Sequence, residues 1–206
     1  VSNVVLGGTD SANYSVSNSS GTASATITQL ASVTWTGNGG NLNWFDPANW
    51  AGGAVPDLSN VANVVIPSGA TVRFDTTGAV LPADATGAVN IEGLGSAGTL
   101  SQTNGTLNVA HGGLTLGSYA QSGGVLINSG ASDLGSFAQT GGQFDTSGDF
   151  DVSDFSQTGG NVDIGGDFTV TNNFGQGRSG GVTVAGRTSI TDMNGGMSIG
   201  NLSTAG

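Results

Sequence analysis

Cysteine and lysine are absent from this chain of 206 residues, and proline occurs only at positions 47, 56, 67 and 82. Without cysteine there is no disulfide framework, no thiolate nucleophile and no thiolate metal site. Three bases, Arg73, Arg178 and Arg187, face fourteen acids, all Asp except Glu92, which sets the net charge at −11. Nucleic acid is excluded as a partner, because a polyphosphate is held through several Lys or Arg that release its counterions. An anionic membrane surface would repel the chain for the same reason. No apolar run reaches the roughly 18 residues of a membrane-spanning helix, so no membrane insertion is expected. Val1 to Leu6 lacks the charged start and apolar core of a signal peptide. His111 is the single histidine, and with no cysteine beside it no nucleophile–base triad can be assembled. Enzymatic activity is not expected.

What remains is glycine, 38 residues of it, with Ser, Thr, Asn and Val. Glycine does not recur at every third position, so collagen is excluded. Helix-favouring residues are scarce and strand-favouring ones common, which points to an all-β protein. An acidic composition without lysine or cysteine fits an exported bacterial surface protein. The chain ends in mid-pattern at Ala205–Gly206 and is expected to be a piece of something longer.

The internal repeat is the strongest signal. Leu100, Tyr119, Phe137, Phe155, Phe174 and Met193 open units spaced 19, 18, 18, 19 and 19 residues apart. Four of these units carry a Gln two residues on, at Gln102, Gln121, Gln139 and Gln157, as does Gln176 in the fifth. Within a unit apolar residues alternate in short runs, such as Val162 and Ile164, then Phe168 and Val170, each preceded by a glycine pair. Alternation predicts strands and glycine pairs predict sharp corners. With a third strand running through the aromatic and the Gln, one unit is one turn of a parallel β-helix. Stacked turns pair their backbones at ~4.8 Å. The fold class is therefore an all-β solenoid of about seven turns of 18 or 19 residues, three strands per turn, over residues 61–206. Leu107, Leu126, Phe144, Val162 and Val182 should form one apolar column, and Leu116, Leu134, Val152, Val170 and Ile190 another. The aromatics are expected to face inward with the Gln residues, whose amides can then bond from turn to turn.

Upstream, residues 63–67, 71–75 and 89–93 read as a first, less regular turn with a longer loop between the last two. Residues 32–60 hold Trp35, Trp44 and Trp50 and read as a cap over the open end of the solenoid. Leu30 to Val33 would be a linker, and residues 1–31 the end of a small antiparallel β unit.

Stacked carboxylates are the candidate site. Asp133 and Asp151, Asp145 and Asp163, and Asp149 and Asp167 are each 18 residues apart, so each pair should sit one above the other. Two such charges repel by about 1 kcal/mol in water, and calcium would relieve this through carboxylate and carbonyl oxygens. Asp145, Asp163, Asp149 and Asp167 are the calcium candidates, against the plainer reading of a solvated acidic face. No other cofactor is expected. Trp44 and Trp50 are the candidate sugar-stacking platform. His111 reads as an exposed corner residue.

The segment WTGNGGNLNWFDPANW (35–50), followed by PDLSNVANVVIP, resembles a passage of large bacterial exoproteins of the filamentous haemagglutinin type, exported by two-partner secretion. GGTDSANYSVSNSSGTASATIT (7–28) is similar to the end of the YDG-type repeats of such adhesins. The order of these parts resembles biofilm-matrix adhesins of the cyclic-diguanylate-regulated class. The resemblance implies a non-catalytic structural or adhesive rod, secreted or on the bacterial cell surface, with an outer-membrane β-barrel transporter serving the parent protein. Its partners would be exopolysaccharide or other copies of the adhesin. A carbohydrate-binding β-helix module is the alternative function, and a polysaccharide-degrading β-helix enzyme a further one.

Overall fold

The computed structural model describes residues 29–79, 81, 88–191 and 201–204. Strands β1 (Leu30–Thr34), β2 (Val61–Val65), β3 (Thr71–Phe74) and β4 (Ala88–Ile91) come first. A regular alternation of long and short strands follows: β5 (Gly93–Gln102), β6 (Thr106–Val109), β7 (Leu114–Gln121), β8 (Val125–Asn128), β9 (Ser132–Gln139), β10 (Gln143–Thr146), β11 (Phe150–Gln157), β12 (Gly160–Ile164), β13 (Phe168–Gln176) and β14 (Gly180–Val184). Two further strands, β15 (Thr188–Ile190) and β16 (Asn201–Thr204), complete the described part. The long strands and β1, β2, β3 and β15 make one parallel sheet, and the short strands from β4 to β16 make another. Each turn lies in register on the next, and the molecule is a β-solenoid.

Five long–short pairs, β5–β6 to β13–β14, form the regular turns. The expected seven also counted the irregular turn of β2, β3 and β4, and residues beyond 192, most of which lie outside the described part. The expected three strands per turn become two. The second and third predicted strands are one bent strand, paired with its neighbours on both sides of the corner, where the register slips between β5 and β7 and between β11 and β13. In β9 the buried positions Ser132 and Leu134 are followed by Phe137 and Gln139, a step of three where a straight strand would step by two. The bend falls at Gly135, where a Cβ would lie 2.5 Å from the carbonyl oxygen of Gly117 in the turn below. At this position no side chain fits between the two backbones, while the equivalent residue in β11 is Ser153. Among the fully described turns, three separate strands occur only in the first, where Pro67 removes a donor and its carbonyl accepts from the Ala70 N–H at 3.0 Å, turning the chain between β2 and β3.

Both predicted apolar columns are present. Leu107, Leu126, Phe144, Val162 and Val182 are register partners, as are Leu116, Leu134, Val152, Val170 and Ile190. A third, which the repeat alignment did not single out, runs Leu114, Ser132, Phe150, Phe168 and Thr188. Phe150 and Phe168 stack within it at 5.5 Å.

Residues 30–33 are not a linker. β1 pairs in parallel with β2, Leu30 opposite Val61 and Thr34 opposite Val65, so these residues extend the solenoid sheet by one strand. Of the antiparallel unit expected over residues 1–31, residues 1–28 lie outside the described part, and Leu30 and Ala31 belong to β1. The Trp segment lies against β3, with the Arg73 N–H bonded to the Leu42 carbonyl at 2.6 Å and the Trp44 N–H to the Arg73 carbonyl at 2.9 Å. Its rings interlock edge to face, Trp35 to Trp50 at 5.0 Å, Trp50 to Trp44 at 4.9 Å and Trp44 to Phe74 of the first turn at 5.5 Å.

Candidate functional site

The acidic columns lie where the 18-residue spacing predicts. Asp145 and Asp163 are register partners on the outer face of β10 and β12. Alternation directs them outward because Phe144 and Thr146, and Val162 and Ile164, point in. The Gln143 amide on the same face donates to Asp145 Oδ1 at 2.8 Å and to Asp163 Oδ2 at 3.4 Å. Burial pushes the Asp145 carboxyl above its ordinary range and the neighbouring Asp163 charge adds to this, while the Gln143 bond opposes both. The pair borders an open groove that also takes in Thr146 and Thr183.

Asp149 and Asp167 sit apart from that pair, at the corner leading into the long strands. The Asp149 carboxylate accepts the Asp167 N–H, and the Asp167 carboxylate accepts the Arg187 N–H, both at 2.8 Å. Each side chain thus fastens its own turn to the next, a use of carboxylate that spacing alone did not reveal. Asp133 and Asp151 are exposed register partners on the long strands. Asp154, at the bend of β11, accepts from the Asn172 amide at 2.6 Å and also from the Asn173 amide. The four calcium candidates are therefore divided between a sheet face and a corner. No group of three or more metal-ligating carboxylate or imidazole side chains occurs among the described residues.

Inside the solenoid the aromatic and glutamine columns run side by side. Tyr119, Phe137, Phe155 and Phe174 are at most 2% exposed, as are Gln102, Gln121, Gln139, Gln157 and Gln176. The Phe rings are nearly parallel, 5.1 Å apart at 9° from Phe137 to Phe155 and 5.2 Å at 7° from Phe155 to Phe174. Three of the Gln amides donate to the Gln below: Gln139 to Gln121 and Gln157 to Gln139 at 2.8 Å, and Gln176 to Gln157 at 3.0 Å. The same nitrogens reach backbone carbonyls, as Gln139 does at Asn161. At the lower end of the column the donor to Gln102 Oε1 is the Tyr119 hydroxyl, at 2.5 Å. Burial holds that hydroxyl well above its ordinary pKa, so it remains a donor. The one tyrosine in the aromatic column stands where a hydroxyl closes the ladder.

Trp44 and Trp50, the candidate sugar platform, are 0% and 2% exposed. The Trp50 indole N–H is spent on the Trp44 carbonyl at 2.6 Å. Stacking on a sugar ring requires an open ring face, and neither indole has one at the surface. His111 is an exposed corner residue, with Nδ1 3.5 Å from Glu92 Oε1.

Two features escaped the sequence reading. Gln143 bridges the carboxylate pair, and its position opposite Val125 and Asn161 marks no repeat of its own. Asn128, Ser132 and Thr146 form a buried polar cluster, the Asn128 amide donating to Ser132 Oγ at 2.8 Å and the Ser132 and Thr146 hydroxyls lying 3.2 Å apart. The signal was there: Asn128 and Thr146 interrupt an otherwise aliphatic column of Val109, Ile164 and Val184.

No protein-family model, curated protein or solved structure gives a significant match to this chain. No helix among the described residues is long and apolar enough to cross a membrane.

Proposed function

We propose that this chain is a rod segment of a secreted or surface-attached bacterial adhesin, non-catalytic, working as a spacer and attachment element between cells or between cells and their matrix. The observation that carries the reading is the glutamine and aromatic ladder. From β5 to β13 the turns are bonded to one another through buried side chains as well as backbone, so length and stiffness grow by adding turns. A rod of this kind needs neither lysine nor cysteine, in keeping with the composition. The carboxylates support the same reading. Asp149 and Asp167 are occupied in joining turns, and Asp145 and Asp163 are bridged by an amide instead of being held apart as an acid and a base around a substrate.

The partner that fits is exopolysaccharide or another copy of the chain, reached after export through an outer-membrane β-barrel transporter. The experiment is binding of the purified chain, immobilised on beads, to isolated bacterial exopolysaccharide and to a second, labelled sample of itself. Retention of either ligand, with no release of reducing sugar, is the expected outcome. Release of reducing ends from the polysaccharide would overturn the non-catalytic reading, and failure to retain either would overturn the adhesive one.

A further inference from the structure

The corner between β5 and β6 contains an Asn–Gly pair whose surroundings differ from those of the other such pair in the described residues. The Gly105 N–H donates to Oδ1 of its own neighbour Asn104 at 2.7 Å. This bond folds the Asn104 side chain back over the following peptide, with Cγ facing the Gly105 nitrogen. The Asn104 amide nitrogen is held from the other side by Thr77 Oγ1 at 3.1 Å. Asn104 is exposed, so water reaches it. Gly105 cannot be exchanged for a shielding residue, because its φ is +79° and a Cβ there would lie 2.2 Å from Thr76 Cγ2.

At Asn38–Gly39 the arrangement is different. The Gly39 N–H is bonded to Oδ1 of Asn49 at 2.9 Å, away from Asn38. Asn49 is itself buried and fixed by its amide to Asn41 and to the Asn43 carbonyl. The nitrogen that would have to attack is tied down by a second, rigid side chain.

We propose that Asn104 is a site of spontaneous self-modification, an intrinsic ageing mark of the rod, and that Asn38 is protected from it. The Gly105 nitrogen loses its proton to water or hydroxide and attacks Asn104 Cγ. The new C–N bond closes a five-membered imide while the Cγ–Nδ2 bond breaks and ammonia leaves. Water then opens the imide at either carbonyl, leaving aspartate or isoaspartate, with a net exchange of ammonia for water. The product adds a negative charge beside Asp75, whose carboxyl is bonded to the Thr77 N–H at 3.0 Å in the same corner. The isoaspartate form also inserts a backbone methylene immediately before Gly105, whose carbonyl accepts from the Val125 N–H of the next turn at 2.8 Å. One turn-to-turn bond is thereby put out of register.

The test is to incubate the intact chain in mildly alkaline buffer, sample it over days, and read each Asn–Gly peptide by mass spectrometry, with isoaspartate resolved by chromatography. Asn104 is expected to convert about tenfold faster than Asn38, the size of effect that one retained hydrogen bond sets. Asn104→Gln should abolish the change in that peptide, while Asn38→Gln should leave its rate unaltered. Equal rates at the two sites, faster conversion at Asn38, or no conversion at Asn104 would each overturn the proposal. Urea-unfolded protein is the control for the protection of Asn38. There the two peptides should age alike, and a difference that persists would assign the contrast to sequence, overturning its structural origin.

Discussion

The regular turns and the Trp segment hold themselves together in opposite ways. From β5 to β14 a residue's partners are its counterparts one turn away: Gln on Gln, Phe on Phe, Asp149 on the backbone of Asp167. In residues 35–50 the partners are local and all different. Asn49 bonds Asn41, Gly39 and the Asn43 carbonyl, Asp46 accepts from Ala48 and Asn41, and three indoles lock edge to face. Repetition lets one solution serve many times, but each member then depends on its neighbours. The irregular segment is solved once, by residues close in sequence, and leans on the stack at Arg73 and Phe74.

Five substitutions would sharpen or break this contrast. The largest effect is expected from truncating an aromatic in either region, ~3–5 kcal/mol of stability for Trp44→Ala and for Phe155→Ala. The two should differ in kind. All three tryptophans lie in the irregular segment, so Trp44→Ala should move the tryptophan-fluorescence transition in urea ahead of the far-ultraviolet circular dichroism transition. Phe155→Ala should lower the circular dichroism midpoint more than the fluorescence midpoint. Coincident shifts of both probes in both variants would show that the two regions unfold as one.

Next is Gln139→Leu. It removes the donor to Gln121 Oε1, while the Gln157 amide loses one acceptor but keeps the Gly160 and Gly181 carbonyls, so one buried group is left unsatisfied at ~1–3 kcal/mol. Unchanged melting would contradict an energetically coupled ladder. Tyr119→Phe is smaller. It withdraws only the hydroxyl that serves Gln102, and should cost ~1–2 kcal/mol, read from the urea midpoint.

The smallest effect is at the surface, and it has a pH signature. Burial raises the Asp145 carboxyl, so the folded state takes up a proton more readily there than the unfolded chain. Its contribution to stability is fully present below the ordinary aspartate range and is lost as pH rises through the raised value. Asp75 behaves in the reverse sense. Bonds from Thr77 lower its carboxyl, so its contribution is present above the ordinary range and is lost as pH falls through the lowered value. Asp145→Asn should raise the melting temperature slightly at neutral pH and flatten the profile between the two aspartate values. A variant less stable than the parent at neutral pH would contradict the assignment. Titration of both carboxyls by NMR checks the two directions.

Much of the stack was legible because a solenoid converts sequence period directly into spatial contact. Once Tyr119, Phe137 and Phe155 are seen to be 18 residues apart, their burial, the inward Gln ladder and the pairing of Asp145 with Asp163 all follow. The candidate site was less legible, because what a carboxylate does depends on which donor lies within 3 Å of it. Asp149 and Asp163 look alike in the alignment, yet one caps a backbone N–H and the other shares an amide. The choice between cap and sugar platform for the indoles was hidden for a similar reason, since exposure is a property of what covers a ring.

By itself the sequence determined the all-β class, the period and the inward columns, since these rest on composition and an 18- or 19-residue recurrence that stacking must respect. Tertiary structure alone decided that the second and third strands of each turn merge through a bend, that residues 30–34 join the sheet, and that Tyr119 completes the glutamine ladder. It also decided that the tryptophans face inward and that the aspartates divide between corner and face. These outcomes depend on how closely two backbones can approach and on which group meets which across a corner, and the order of residues along a chain does not encode such distances locally.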